Sequence, residues 1–181
     1  MNCVRLSENI YEIDSFLSEN ECKILISVSE SLGYSAADVQ VNVTRRHIEA
    51  VRNNYRLNYQ SASLAEDYWS RLKCVNIPAI ENRLAIGLSP YFRFYRYCAG
   101  QKFNMHKDGR QDVGVHETLF SFIIYLNKDY DGGSTLFRQD NIEVFPQTGK
   151  VVVFEHHLWH QGSRVESGLK YVLRTDVVCS G

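Results

Sequence analysis

The chain has 181 residues, 44% of them apolar and 23% charged, which suits one soluble domain with one core. A formal net charge of −1 gives no diffuse positive field, so nucleic acid is not an expected partner. No run approaches the ~20 apolar residues of a membrane span, and the first residues lack an apolar signal segment, so no membrane association and a cytoplasmic location are expected. Cys3, Cys22, Cys74, Cys98 and Cys179 are an odd, widely spaced set without a C-x-x-C pair, and read as reduced, mostly packing residues.

Ser18-Glu19-Asn20-Glu21 has the form of a capping box, which predicts a helix from there to about Leu32, stopped at Gly33. Cys22, Leu25, Ile26 and Leu32 recur at helical spacing and should form its packed face. A second box, Ser63-Leu64-Ala65-Glu66, predicts another amphipathic helix through Leu64, Tyr68, Trp69 and Leu72 that ends before Pro78. Between them the stretch from Arg45 to Tyr59 is polar and unassigned, and Arg45, Arg46, Arg52 and Arg56 are candidates for a groove that takes an acidic partner.

From Tyr91 onward, short β-branched and aromatic runs alternate with Gly, Asp and Asn turns. Strands are expected at 91–98, 118–126, 134–138, 142–145, 150–154 and 171–178. Closely spaced strands without intervening helices favour an antiparallel sandwich or barrel. The expected fold is mainly β with flanking N-terminal helices (α+β): helical support over about 1–85, then a jelly-roll core over about 90–181. The whole of 1–181 is read as a single domain.

His106 and Asp108 stand two residues apart, which on extended backbone puts both side chains on one face. A third ligand has to come from His156, His157 or His160, after the β-rich run 150–154. Two histidines and one carboxylate on one face of an octahedral Fe(II) leave positions open for a bidentate co-substrate and O2. A zinc pair of His156 and His160 at i, i+4 would need a helix, whereas Val151-Val152-Val153-Phe154 predicts a strand.

Tyr97, Gly100, Phe103, His106 and Asp108 match in register the Y-x-x-G-x-x-F-x-x-H-x-D signature of prolyl 4-hydroxylase-like 2-oxoglutarate oxygenases. Tyr125-Leu126-Asn127, Gly132-Gly133-Ser134-Thr135-Leu136-Phe137, then Pro146, Gly149 and Phe154 resemble the family's next elements. His160-Gln161-Gly162 with Val165, Gly168 and Lys170 resembles its ending. The resemblance covers about residues 91–178, and the segment from Ile13 to Cys22 is similar to the family's usual opening.

The resemblance implies a double-stranded β-helix with Fe(II) held by His106, Asp108 and His160, leaving His156 and His157 as neighbours. It implies 2-oxoglutarate and O2 as co-substrates, with ascorbate as an accessory reductant. Lys170 would pair with the distal carboxylate of 2-oxoglutarate, because a buried dianion needs a charge partner. Arg174, four residues on and on the same strand face, is the alternative partner, and Tyr97 and Tyr125 are the expected hydroxyl donors.

The activity implied is hydroxylation of a C–H bond. Because Asp108 fills the position that related halogenases leave to a halide, halogenation is disfavoured. The substrate would be a prolyl or other amino-acid residue in a protein or peptide. The alternatives are a free amino acid or other small-molecule metabolite, or a non-catalytic sensor of the same fold. Gly132 and Gly133 read as a turn without chemistry, and residues 107–117 as either a flap or a hairpin.

Overall fold

The computed structural model describes residues 2–36, 39–41, 44–46, 53–139 and 141–181, with 39–41 and 44–46 described for their backbone alone. Helix α1 spans Glu19–Leu32 and α2 spans Ala62–Leu72. Ser18 caps α1 by accepting from the Glu21 amide, while the Glu21 carboxylate accepts from the Ser18 amide at 2.7 Å.

The start of α2 differs from expectation. Ser61, not Ser63, is the N-cap, accepting from the Leu64 amide at 3.2 Å. Both serines stand before an apolar run, and sequence spacing does not decide which is the first to leave the extended conformation. Cys22, Ala65, Tyr68 and Leu72 are buried as the periodicity requires, but Leu32 is exposed at the open end of α1.

The larger sheet runs in the order Asn2–Ser7, Ile10–Asp14, Val151–Glu155, His116–Tyr125, Val165–Cys179, Tyr91–Cys98, Tyr55–Gln60, Ser35–Ala36, with every neighbour antiparallel. A smaller sheet runs Ile142–Val144, Thr135–Phe137, His160–Gly162, Phe103–His106. The two form the jelly roll.

The expectation of helices first and strands afterwards is thus incomplete, because four N-terminal strands, two at each edge, extend the larger sheet. Tyr55–Gln60 lies in the polar stretch without an assignment, although Leu57 and Tyr59 alternate with Arg56, Asn58 and Gln60 as in a strand with one packed face. Of the four arginines suggested for a groove, Arg56 lies on this strand, while Arg52 and the side chains of Arg45 and Arg46 lie outside the described residues.

The larger sheet has a core on each face. Phe92, Phe94, Phe120, Phe122 and Leu173 pack with the helices, while Tyr95, Tyr125, Val152, Phe154 and Val172 pack inside the jelly roll. Burying each such side chain contributes about 1.5–3 kcal/mol. Alternation along Val165–Cys179 therefore puts Lys170, Val172, Arg174 and Asp176 on the inner face, where all four are buried.

All five cysteines are free, but only Cys22 and Cys179 are buried; Cys3 and Cys74 are exposed, so packing does not account for them. Residues 112–113 pair with 116–117 around Gly114 at φ +67, so the outer part of the 107–117 segment is a hairpin. No helix among the described residues is long and apolar enough to cross a membrane.

Candidate metal centre

His106 ends one strand of the smaller sheet, and His160 begins the strand paired with it, directly opposite. Their rings lie 4.2 Å apart. Asp108 lies beyond the strand end, so its approach is set by a tertiary contact: its amide donates to the His156 carbonyl at 3.0 Å. One potential ligand atom from each of His106, Asp108 and His160 lies within 4.8 Å of the other two.

Each imidazole is oriented from behind. His106 Nδ1 meets the Asn104 carbonyl at 2.8 Å, and His160 Nδ1 meets the Leu158 carbonyl at 2.9 Å. Donation to those carbonyls fixes the Nδ1–H tautomer and leaves each Nε2 lone pair aimed at the shared space. His106 Nε2 is buried with no hydrogen-bond partner among the described residues, which leaves its lone pair available to a metal ion. Phe103 stacks on His106 at 3.6 Å, and Phe154 meets His160 edge-on at 4.5 Å, so aromatic motif residues hold the rings in place.

Burial pushes His160 down to about 4, against the opposing pull of Asp108, so it is a neutral donor at neutral pH. Burial also opposes the charge on Asp108, but Arg174, His160 and His106 outweigh it and hold its carboxyl well below the usual range. Two imidazole nitrogens and one carboxylate suit a divalent ion such as Fe(II).

A cavity beside these ligands is lined by Tyr97, Tyr125, Thr135, Lys170 and Arg174 among others. Lys170 is buried, and among the described residues no carboxylate forms an ion pair with it; its ammonium donates to the Gly133 carbonyl at 2.5 Å and lies 5.2 Å from the Tyr97 ring and 5.3 Å from the Tyr125 ring. Burial lowers its pKa to about 7. A buried ammonium without a counter-ion fits an incoming carboxylate.

The other expected co-substrate residues divide. The Tyr125 hydroxyl pairs with Thr135 Oγ1 at 2.6 Å, so hydroxyls from two strands meet on the cavity wall. Arg174, the alternative carboxylate partner, is engaged instead by Asp108 at 2.8 Å and Asp176 at 3.0 Å. His156 is buried 3.3 Å from Asp176, and His157 is exposed, so neither joins the three ligands.

Four residues that take part in the site were given no part in it by the sequence reading. Thr135 lies inside the quoted G-G-x-T-x-F element, and Asp176 follows Arg174 by two on the same face, so both carried a signal. Ser121, which donates to Asp108 Oδ2 at 2.6 Å, carried none. Gly133, read as only a turn, does more. At φ +66 it presents its carbonyl to Lys170, and an added Cβ would stand 3.1 Å from Lys170 Cδ.

Residues 92–175 match the family model of the 2OG-Fe(II) oxygenase superfamily. No curated protein sequence matches the chain. Among solved structures it is similar to the viral collagen prolyl hydroxylase of Paramecium Bursaria Chlorella virus-1 in its 2OG complex, with TM-score 0.64 and 20% identity over 96% of this chain and 97% of that one. A Trichoplax adhaerens prolyl hydroxylase, in complex with a hypoxia inducible factor peptide fragment, gives TM-score 0.72 and 14% identity over 94% and 84%. A Pseudomonas putida prolyl-4-hydroxylase gives 0.70 and 16% over 93% and 92%. At these identities the likeness to each is one of fold.

Proposed function

We propose, from the match of residues 92–175 to the 2OG-Fe(II) oxygenase superfamily, that this chain is an Fe(II)- and 2-oxoglutarate-dependent dioxygenase hydroxylating a prolyl residue of a protein or peptide. The observation that carries this reading is the meeting of His106, Asp108 and His160 with the buried, counter-ion-free Lys170 around one cavity. A peptide-borne proline is favoured by the three structures described above, which are prolyl hydroxylases, one of them in complex with a peptide fragment. The free thiols suit a reducing compartment such as the cytoplasm.

The residues divide the work. His106, Asp108 and His160 would hold Fe(II). The chemistry the ion supplies is oxygen activation, in which 2-oxoglutarate and O2 give succinate and CO2 as one oxygen atom enters the substrate C–H bond. Lys170 would hold the distal carboxylate of 2-oxoglutarate through a charge-assisted hydrogen bond. The Tyr125–Thr135 pair and Tyr97 would present hydroxyls along its length. Phe154 and Val172 line the same cavity and exclude water from it.

Succinate release should rise with a proline-containing peptide, and the peptide should gain the mass of one oxygen atom. Stimulation by free proline but by no peptide would overturn the substrate assignment. No metal binding and no succinate with any candidate would overturn the oxygenase assignment.

A further inference from the structure

Behind the Asp108 ligand lies a buried polar network that the proposed reaction does not use. Arg174 Nη1 donates to Asp108 Oδ1 at 2.8 Å, and Nη2 donates to Ser121 Oγ at 3.2 Å and to Asp176 Oδ1 at 3.0 Å. Ser121 in turn donates to Asp108 Oδ2, so both ligand oxygens are anchored and the carboxylate cannot turn about its bond. Asp176 is ringed by His156 at 3.3 Å, Gln111 at 3.3 Å and Arg93 at 3.4 Å. The side chains of Asp108, Arg174 and Asp176 are only 6%, 9% and 2% exposed.

One guanidinium thus stands between two carboxylates, only one of which is placed to hold the metal. A cation 2.8 Å from a metal-binding carboxylate competes with the metal for its charge. Asp176 provides a second anion for the same cation.

We propose that Arg174 and Asp176 are positioning residues for the metal centre: Arg174 with Ser121 fixes the Asp108 carboxylate, and Asp176 offsets the guanidinium charge so that Asp108 keeps its strength as a ligand. The inference rests on the assignment of His106, Asp108 and His160 as the metal site. Outer partners of this kind commonly set metal affinity by roughly 10–100-fold. Removing Asp176 alone turns the whole guanidinium charge on Asp108, whereas removing both charges relieves it.

The test is cobalt(II) affinity of the full chain, followed by its absorption spectrum, with the melting temperature of each metal-free variant measured alongside. Asp176→Asn should weaken cobalt binding roughly 10–100-fold. The double variant Arg174→Gln/Asp176→Asn should bind more tightly than Asp176→Asn, because the unopposed guanidinium charge is gone, while staying weaker than the original chain for want of the fork; damaged packing does not produce that order. If Asp176→Asn does not fold, Arg174→Lys keeps the charge but lacks the fork and should itself weaken binding at least tenfold.

Cobalt affinity like that of the original chain in Asp176→Asn, or in Arg174→Lys where that variant is used, overturns the proposal, as does a double variant no better than Asp176→Asn. If the original chain fails to bind cobalt, or His106→Ala binds it equally well, the metal-site assignment itself fails.

Discussion

The Lys170 ammonium donates to the carbonyl of Gly133 at 2.5 Å, across the gap between the C-terminal strand and the turn after Tyr130–Gly132. Val165–Cys179 supplies the cation, and a glycine with positive φ supplies the acceptor that aims it. The contact ties a turn to the proposed co-substrate site.

Lys170→Met keeps the apolar length of the side chain and removes its charge. The lost charge-assisted bond, about 1.5–3 kcal/mol, should raise the 2-oxoglutarate concentration needed for half-maximal turnover about 10–100-fold. Metal affinity should stay the same, and the melting temperature without co-substrate should not fall, because an uncompensated buried cation is lost. Titrating 2-oxoglutarate against succinate release decides it, and an unchanged requirement would mean another group binds the distal carboxylate.

Gly133→Ala should act on the same step from the other side. Its Cβ would crowd Lys170 Cδ at 3.1 Å and Tyr130 Cε2 at 3.0 Å, in a backbone region that costs about 1–3 kcal/mol for a side chain. The expected result is a raised 2-oxoglutarate requirement with metal affinity intact, together with a lower melting temperature. A variant that lost only stability would return Gly133 to the role of a simple turn.

Burial lowers Lys170 from its ordinary 10.5 to about 7. Between those values the unfolded chain binds the proton and the folded chain without co-substrate does not, so this group makes folding more favourable as pH rises from about 7 toward 10.5. Co-substrate affinity runs the other way, since the carboxylate needs the protonated amine, and falls as pH rises above 7. Calorimetry at pH 8 in two buffers of different ionisation enthalpy should detect uptake of close to one proton per 2-oxoglutarate bound. Equal heats in both buffers would contradict the assignment.

Chelation should leave the fold in place. The metal-site residues sit between sheets whose cores are apolar, so the metal adds to an existing structure. A divalent ion at about 1,000 times its dissociation constant should add about 4 kcal/mol and raise the melting temperature. His106→Ala and Asp108→Ala should remove that increment while melting cooperatively. A metal-induced rise that persists in His106→Ala would place the binding site elsewhere.

Much of the site was legible because its motifs are short-range. Tyr97 to Asp108 is one segment in which an aromatic, two ligands and a glycine must keep fixed offsets, and the strand Tyr91–Cys98 has the expected bounds. Likewise α1 follows from its capping box, since both partners lie within one turn. Phe103 stacking on His106 gives the physical reason for an aromatic three residues before a ligand.

What the sequence by itself determined was therefore the set of local patterns: the α1 cap, most of the jelly-roll strands, the residue types at the site, and Lys170 on an inward face. Only the tertiary structure decided among equivalent residues. Alternation places Lys170 and Arg174 on the same face, but Asp108 and Asp176 occupy Arg174, while among the described residues no carboxylate pairs with Lys170. The approach of Asp108 to the two histidines depends on the His156 carbonyl, 48 positions along the chain, and no local spacing encodes that contact. The place of Tyr55–Gln60 in the sheet depends on its pairing with Tyr91–Cys98, because which face is buried is a property of the sheet and not of the segment.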